Sequence, residues 1–165
     1  MKKLIIASLL ISLCSFGAMA QHRTIGLRMS NVLEVSYQRN VSDVNFWEFD
    51  GGFWNFGNGA QASAIYNWII ASPEWSPEGE WNWYLGVGGS MGLVWGNKYH
   101  YGDEELGCFL GVAGLVGLEY NFWFPLTLSA DFRPVVGPYF GDGVYFYDRI
   151  IFDAFWPTIS ARYRF

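Results

Sequence analysis

The stretch "TISARYRF", residues 158–165, sorts by parity: Ile159, Ala161, Tyr163 and Phe165 fall on one side, Thr158, Ser160, Arg162 and Arg164 on the other. Successive side chains of a β-strand point to opposite faces, so this is a strand with one greasy and one charged face. The same two-faced reading extends back through the chain as eight segments, 23–29, 32–39, 45–56, 60–71, 81–94, 108–120, 125–135 and 152–165. Turn chemistry separates them: Ser30 and Asn31, "NVSDV", "GNG", "SPEWSPEGE", "WGNKYHYGDEELG", "NFWF" and "GPYFGDGVYFYDR". Most segments approach the roughly 9 to 11 residues that a tilted strand needs to cross a bilayer.

Helical alternatives fail on length and glycine content. The apolar run "GCFLGVAGLVGL" at 107–118 carries Gly107, Gly111, Gly114 and Gly117 and stops at Glu119, which opposes a membrane helix. The start of the chain reads differently. "MKKLIIASLLISLCSFGAMA" has two lysines, an apolar stretch and a small-x-small ending at Ala18, Met19 and Ala20, the layout of a cleaved export signal. Residues 1–20 are therefore expected to be removed, leaving 21–165 as a single barrel domain. Loss of Lys2 and Lys3 takes the formal charge from −5 to −7, and with no basic run a nucleic-acid partner is not expected. Cys108 would be unpaired after cleavage, so neither an internal disulfide nor a cysteine-based metal site is expected.

Composition fits a surface that does not face water. Trp, Tyr and Phe number 9, 10 and 14, and charged residues make up only 15% of the chain, against roughly a quarter in soluble domains. Alternation alone does not say which face is inside. Volume does: the bore of an eight-stranded barrel is only just filled by side chains, and the apolar set contains Trp47, Trp68, Trp81 and Trp83 with many other large residues. The bulky set is therefore expected outside, facing lipid, and the Gly, Ser, Thr and Asn set inside. Two aromatic belts follow. Phe46, Trp47, Trp68, Trp81, Trp83, Tyr120, Trp123, Tyr163 and Phe165 are expected at one membrane boundary, and Phe53, Trp54, Phe56, Trp95, Tyr139, Phe140, Tyr147 and Phe155 at the other.

The whole of 21–165 resembles the small eight-stranded outer-membrane barrels of Gram-negative bacteria, the OmpX-like and OmpA-barrel type. The resemblance implies an all-β, antiparallel, up-and-down transmembrane barrel. It also implies that Tyr163 and Phe165, in "ISARYRF", are read by the barrel-assembly machinery during insertion. Fold alone assigns no activity.

Candidate chemistry lies on the inward parity. Arg28, Glu34, Glu48, Asp50, Glu119, Asp131, Arg133 and Arg162, with Arg164 beyond them, are expected to form a paired luminal plug, since a buried charge left alone is costly. An ion or proton path is the rival reading. Small barrels also include lipid-modifying enzymes of the PagP palmitoyltransferase and PagL deacylase types, for which Ser90, His100 and Asp103 are the catalytic candidates here. Pro134 and Pro157, read as lying at equal height on adjacent strands, suggest a lateral lipid gate, or simply strand ends. No cofactor or metal is expected. Expected partners are outer-membrane lipid and lipopolysaccharide, with an extracellular protein or glycan at the aromatic loops, and a monomer is expected.

Overall fold

Alternating β-branched and aromatic residues between turn formers produce strands almost where the pattern predicts them. The computed structural model describes residues 23–54, 59–95, 107–141, 144–146 and 157–165. They form β1 (Arg23–Met29), β2 (Val32–Asn40), β3 (Asn45–Trp54), β4 (Gly59–Ala71), β5 (Glu80–Val94), β6 (Gly107–Asn121), β7 (Leu126–Phe132), β8 (Val135–Val136), β9 (Pro138–Phe140), β10 (Val144–Phe146) and β11 (Thr158–Arg164). Each of β1 to β6 pairs antiparallel with the next. β7, β8 and β9 are one interrupted stave, because their partners on β6 keep a single register from Asn121 opposite Thr127 to Cys108 opposite Phe140. β11 pairs with β7 on one side and β1 on the other, closing an eight-staved antiparallel barrel, and β10 pairs with β9 as a hairpin above it.

The register gives the stagger of that barrel. From Ser36, directly opposed partners run one way through Asp50, Ser63 and Ser90 to Gly111. They run the other way through Gly26, Arg162 and Thr127 to Asn121. Both paths arrive on β6, at residues 111 and 121, so the barrel has a shear of ten residues. For eight strands this corresponds to a tilt of about 40° and a bore that side chains fill. The end carrying Arg23 and Phe165 is called proximal below, the other end distal.

The two parities sort as opposite walls. Leu27, Val112 and Ile159 are 54%, 65% and 66% exposed, whereas Arg28, Glu48 and Arg162 are 0% exposed. A barrel with an apolar exterior and a charged interior is the inverse of a water-soluble one, and the exterior is covered by lipid. Aromatic rings line the proximal rim in contact: Trp47 with Tyr66, Tyr66 with Trp68, Trp75 with Trp81 and Trp83, Trp81 with Tyr120, and Tyr120 with Phe122. Tyr163 and Phe165 stack beside each other on the same face. Phe53, Trp95 and Phe140 are exposed toward the distal end. Phe56, Tyr147, Phe155 and the side chain of Trp54 lie outside the described residues.

Two belt assignments are corrected. Phe46 shares the parity of Glu48 and Asp50 and is buried in the bore, where its ring meets Tyr84 edge-on at 5.5 Å. Tyr139 shares the parity of Asp131 and Val135, because the stave keeps its register past Pro134, and it packs against the interior apolar cluster.

That cluster, Phe46, Ile65, Tyr84, Phe109, Ala113, Leu115 and Val135, shows the bore to be less uniformly polar than its composition suggests. Large interior side chains fit because glycines stand beside them on β5 and β6. A Cβ built on Gly86 would lie 2.8 Å from Ile65 Cγ2, one on Gly92 2.7 Å from Phe109 Cζ, and one on Gly111 2.7 Å from Val135 Cγ1. At Gly117 it would meet the Tyr84 ring and stand 2.8 Å from Asp131 Cβ. Gly117→Val should therefore lower unfolding stability by about 1–3 kcal/mol through overpacking. Gly89→Val, on the lipid face with its nearest neighbour 3.8 Å away, should leave stability within about 0.5 kcal/mol. Denaturant titration in detergent micelles, followed by tryptophan fluorescence, checks the pair.

Candidate functional site: the luminal ion network

Inward parity and the staggered register bring residues from opposite ends of the sequence into one network. Arg28, on β1, is fully buried at its centre. Its Nη1 donates to Glu48 Oε1, its Nη2 donates to Asp131 Oδ1 at 2.7 Å, and its Nε lies 3.3 Å from Glu34 Oε2. Asp50 Oδ2 is 3.7 Å from the same guanidinium. Arg133, in the link between β7 and β8, covers this centre distally. It grips both oxygens of Glu34 through Nη2 at 2.7 Å, and its Nη1 donates to Asp50 Oδ2 at 2.6 Å and to Ser63 Oγ at 2.7 Å. Arg162, on β11, closes the proximal side by donating to Ser36 Oγ at 3.0 Å, Ser129 Oγ at 2.8 Å and Glu48 Oε1 at 3.1 Å.

Neutral side chains complete the shell. Gln38 donates to Glu48 Oε2 at 2.9 Å and accepts from Thr24 at 2.9 Å. Gln61 donates to Glu34 Oε1 at 2.6 Å, and the Tyr84 hydroxyl donates to Asp131 Oδ2 at 3.3 Å. Such charge-assisted, multiply bonded contacts are the strong ones, and in a desolvated bore they hold their geometry. Sorting by parity puts Ser36, Gln38, Gln61 and Ser63 inside but does not say which charged group each serves, because that depends on register.

Of the sequence-selected luminal residues, Arg28, Glu34, Glu48, Asp50, Asp131, Arg133 and Arg162 are thus brought together. Glu119 stands apart near the proximal mouth, where Asn82 and Asn121 donate to its Oε1 at 3.2 Å and 3.1 Å. Arg164 ties down the adjacent turn by donating to the carbonyls of Phe122 at 2.7 Å and Phe124 at 3.3 Å. Charges held this way form a network that spans the bore.

Ser90 is buried on β5 and its hydroxyl points to the Ala62 carbonyl at 3.4 Å. His100 and Asp103 lie outside the described residues. Thr158 faces Asp131, so along the staves Pro157 lies one residue and Pro134 three residues distal of that pair, and the stave tilt, which sets each β11 residue distal of its β7 partner, offsets most of that difference in height. Pro134 does not part its stave from β6. Gly114 N donates to the Pro134 carbonyl at 2.9 Å, and the pairs on both sides, Val116 with Phe132 and Ala113 with Val135, stay in register. The rung loses one of its two bonds because proline lacks an N–H.

No protein-family model matches the sequence, and no curated protein matches it. Among solved structures the chain is similar to the crystal structure of the N-terminal β-barrel domain of Pseudomonas aeruginosa OprF, with a TM-score of 0.55 and 11% identity over 88% of this chain and 96% of that one. At that identity the likeness is one of fold: this chain is a closed, eight-stranded, antiparallel transmembrane β-barrel whose bore is crossed by an ion network.

Proposed function

We propose that this chain is an outer-membrane barrel with a structural or interaction role, presenting aromatic loops outside the cell and conducting nothing in steady state. The observation that supports this best is the filled bore: Arg28, Glu48, Ile65, Tyr84 and Arg162 are each 0% exposed and stand in the path a solute would take. In this reading residues 1–20 are the export signal and 21–165 the mature barrel. The proximal end faces the periplasm, Tyr163 and Phe165 engage the barrel-assembly machinery, and the monomer sits in phospholipid and lipopolysaccharide. The exposed Phe140 and Val144 on the distal hairpin supply apolar contact area for an extracellular protein or glycan, since exposed aromatics bind at low entropic cost.

Expression of the full chain in a Gram-negative host tests the reading. The protein should fractionate with the outer membrane and change gel mobility on heating, and the acyl count of lipid A by mass spectrometry should not change. An altered acyl count would make the chain a lipid-modifying enzyme instead. Deleting residues 140–147, which leaves Tyr139 on its packing partners, should reduce cell retention on immobilised glycoproteins and glycans to background without altering heat-dependent mobility. Equal retention by both forms removes the hairpin from the proposal.

A further inference from the structure

Every ion pair among the described residues lies on one side of the barrel. Each joins β1, β2, β3, β7, β11 or the β7–β8 link, and none touches β4, β5 or β6. That side contains the seam between β1 and β11, the first and last staves, which no turn connects. Its ladder is short. It runs from Arg23 with Phe165 to Met29 with Ile159 and is stopped there by the turn at Ser30 and Asn31. By contrast, β5 and β6 pair from Glu80 with Asn121 to Val94 with Gly107, and the bore beneath them is lined by glycines and the apolar cluster.

The arginines reach across that seam. Arg162, on β11, bonds Ser36 on β2 and Glu48 on β3, while Arg28, on β1, bonds Asp131 on β7. Arg133 bonds Glu34 on β2 and Asp50 on β3 from further round the same side. The partners are 83 to 126 residues apart in sequence. The β7–β11 ladder, from Leu126 with Tyr163 to Asp131 with Thr158, is as short, but there the chain runs on from one stave to the other, whereas no connecting segment joins β11 to β1.

We infer that the luminal arginines latch the β1–β11 seam. They hold shut the one junction of the barrel whose backbone pairing is short and unlinked, so that loosening them opens the wall at that junction before any other. This goes beyond the proposed role and rests only on the register and the side-chain contacts.

The test compares seams within one molecule. In Arg162→Met, reconstituted in lipid nanodiscs, amides of β1 and β11 such as Leu27 and Ala161 should exchange about tenfold faster than in the wild type, with Gly86 and Leu115, opposed in the β5–β6 ladder, changing less than about twofold. Should Arg162→Met not fold, Arg133→Met at the distal edge of the network, whose side chain is 8% exposed, is measured in the same way. A second measurement uses a Cys108→Ser background. Leu27 and Ala161 are directly opposed, within reach of a disulfide when both are cysteine. Oxidised Leu27→Cys/Ala161→Cys should restore the heat resistance lost in the arginine variant. The control Leu85→Cys/Val116→Cys across β5 and β6 should not. Acceleration spread evenly over all strands, or equal rescue by the two cross-links, overturns the latch.

Discussion

Replacing Arg28 with Met should cost about 3–5 kcal/mol of unfolding stability, the loss found when one member of a buried ion network is removed and the others stay charged. Arg28 is the one guanidinium that meets Glu34, Glu48, Asp50 and Asp131 together. Without it Arg133 still holds Glu34 and Asp50, and Arg162 still holds Glu48, but Asp131 keeps only the Tyr84 hydroxyl among its bonds. Arg28→Lys should recover only part of the loss, because a compact ammonium does not reproduce a planar fork reaching carboxylates in several directions. Changing Asp131 to Asn in the Arg28→Met background should return some stability by removing the carboxylate left without a cation. Denaturant unfolding in bilayers, read by heat-dependent gel mobility, measures all three variants. Since these groups are shut away from solvent, the ranking should persist at high salt. A wild-type-like Arg28→Met would mean that the network fills space without binding the staves together.

The second large effect belongs to the outer wall. Val87 lies at the midpoint of β5 and is 48% exposed on the lipid-facing parity. Val87→Arg should destabilise the barrel by about 2–4 kcal/mol in a bilayer, the cost of a cationic side chain at the midplane. Leu93→Arg, on the same face near the distal rim, should cost markedly less, since the depth penalty falls to about 0–1 kcal/mol near the interface. Reversible unfolding from phospholipid vesicles gives both numbers. Were this wall in water, Val87→Arg would be nearly neutral and would improve solubility.

The corrected residues show where reading by parity stops. Phe46 and Tyr139 are aromatic and near strand ends, so composition alone assigns them to a membrane belt. Counting from Glu48 and Val135 turns both inward, and the count for Tyr139 holds only because Pro134 interrupts the hydrogen bonding and not the register. The glycines are a similar case. Gly86, Gly92, Gly111 and Gly117 read as small inward residues, but their use as sockets for Ile65, Phe109, Val135 and Tyr84 depends on which rung faces which.

What the amino-acid order determined by itself is the two-sided strand, its repetition, and hence a closed barrel with lipid outside. These follow from side-chain alternation and from the small volume of an eight-stranded bore, both local or additive properties. What only the tertiary structure decided is who meets whom in that bore. Arg28 reaches Asp131 across 103 residues, and the ten-residue stagger that aligns them is a property of the closed ring. No single strand carries it, because shifting one seam by two residues would preserve every inward and outward face while changing which charges meet across that seam.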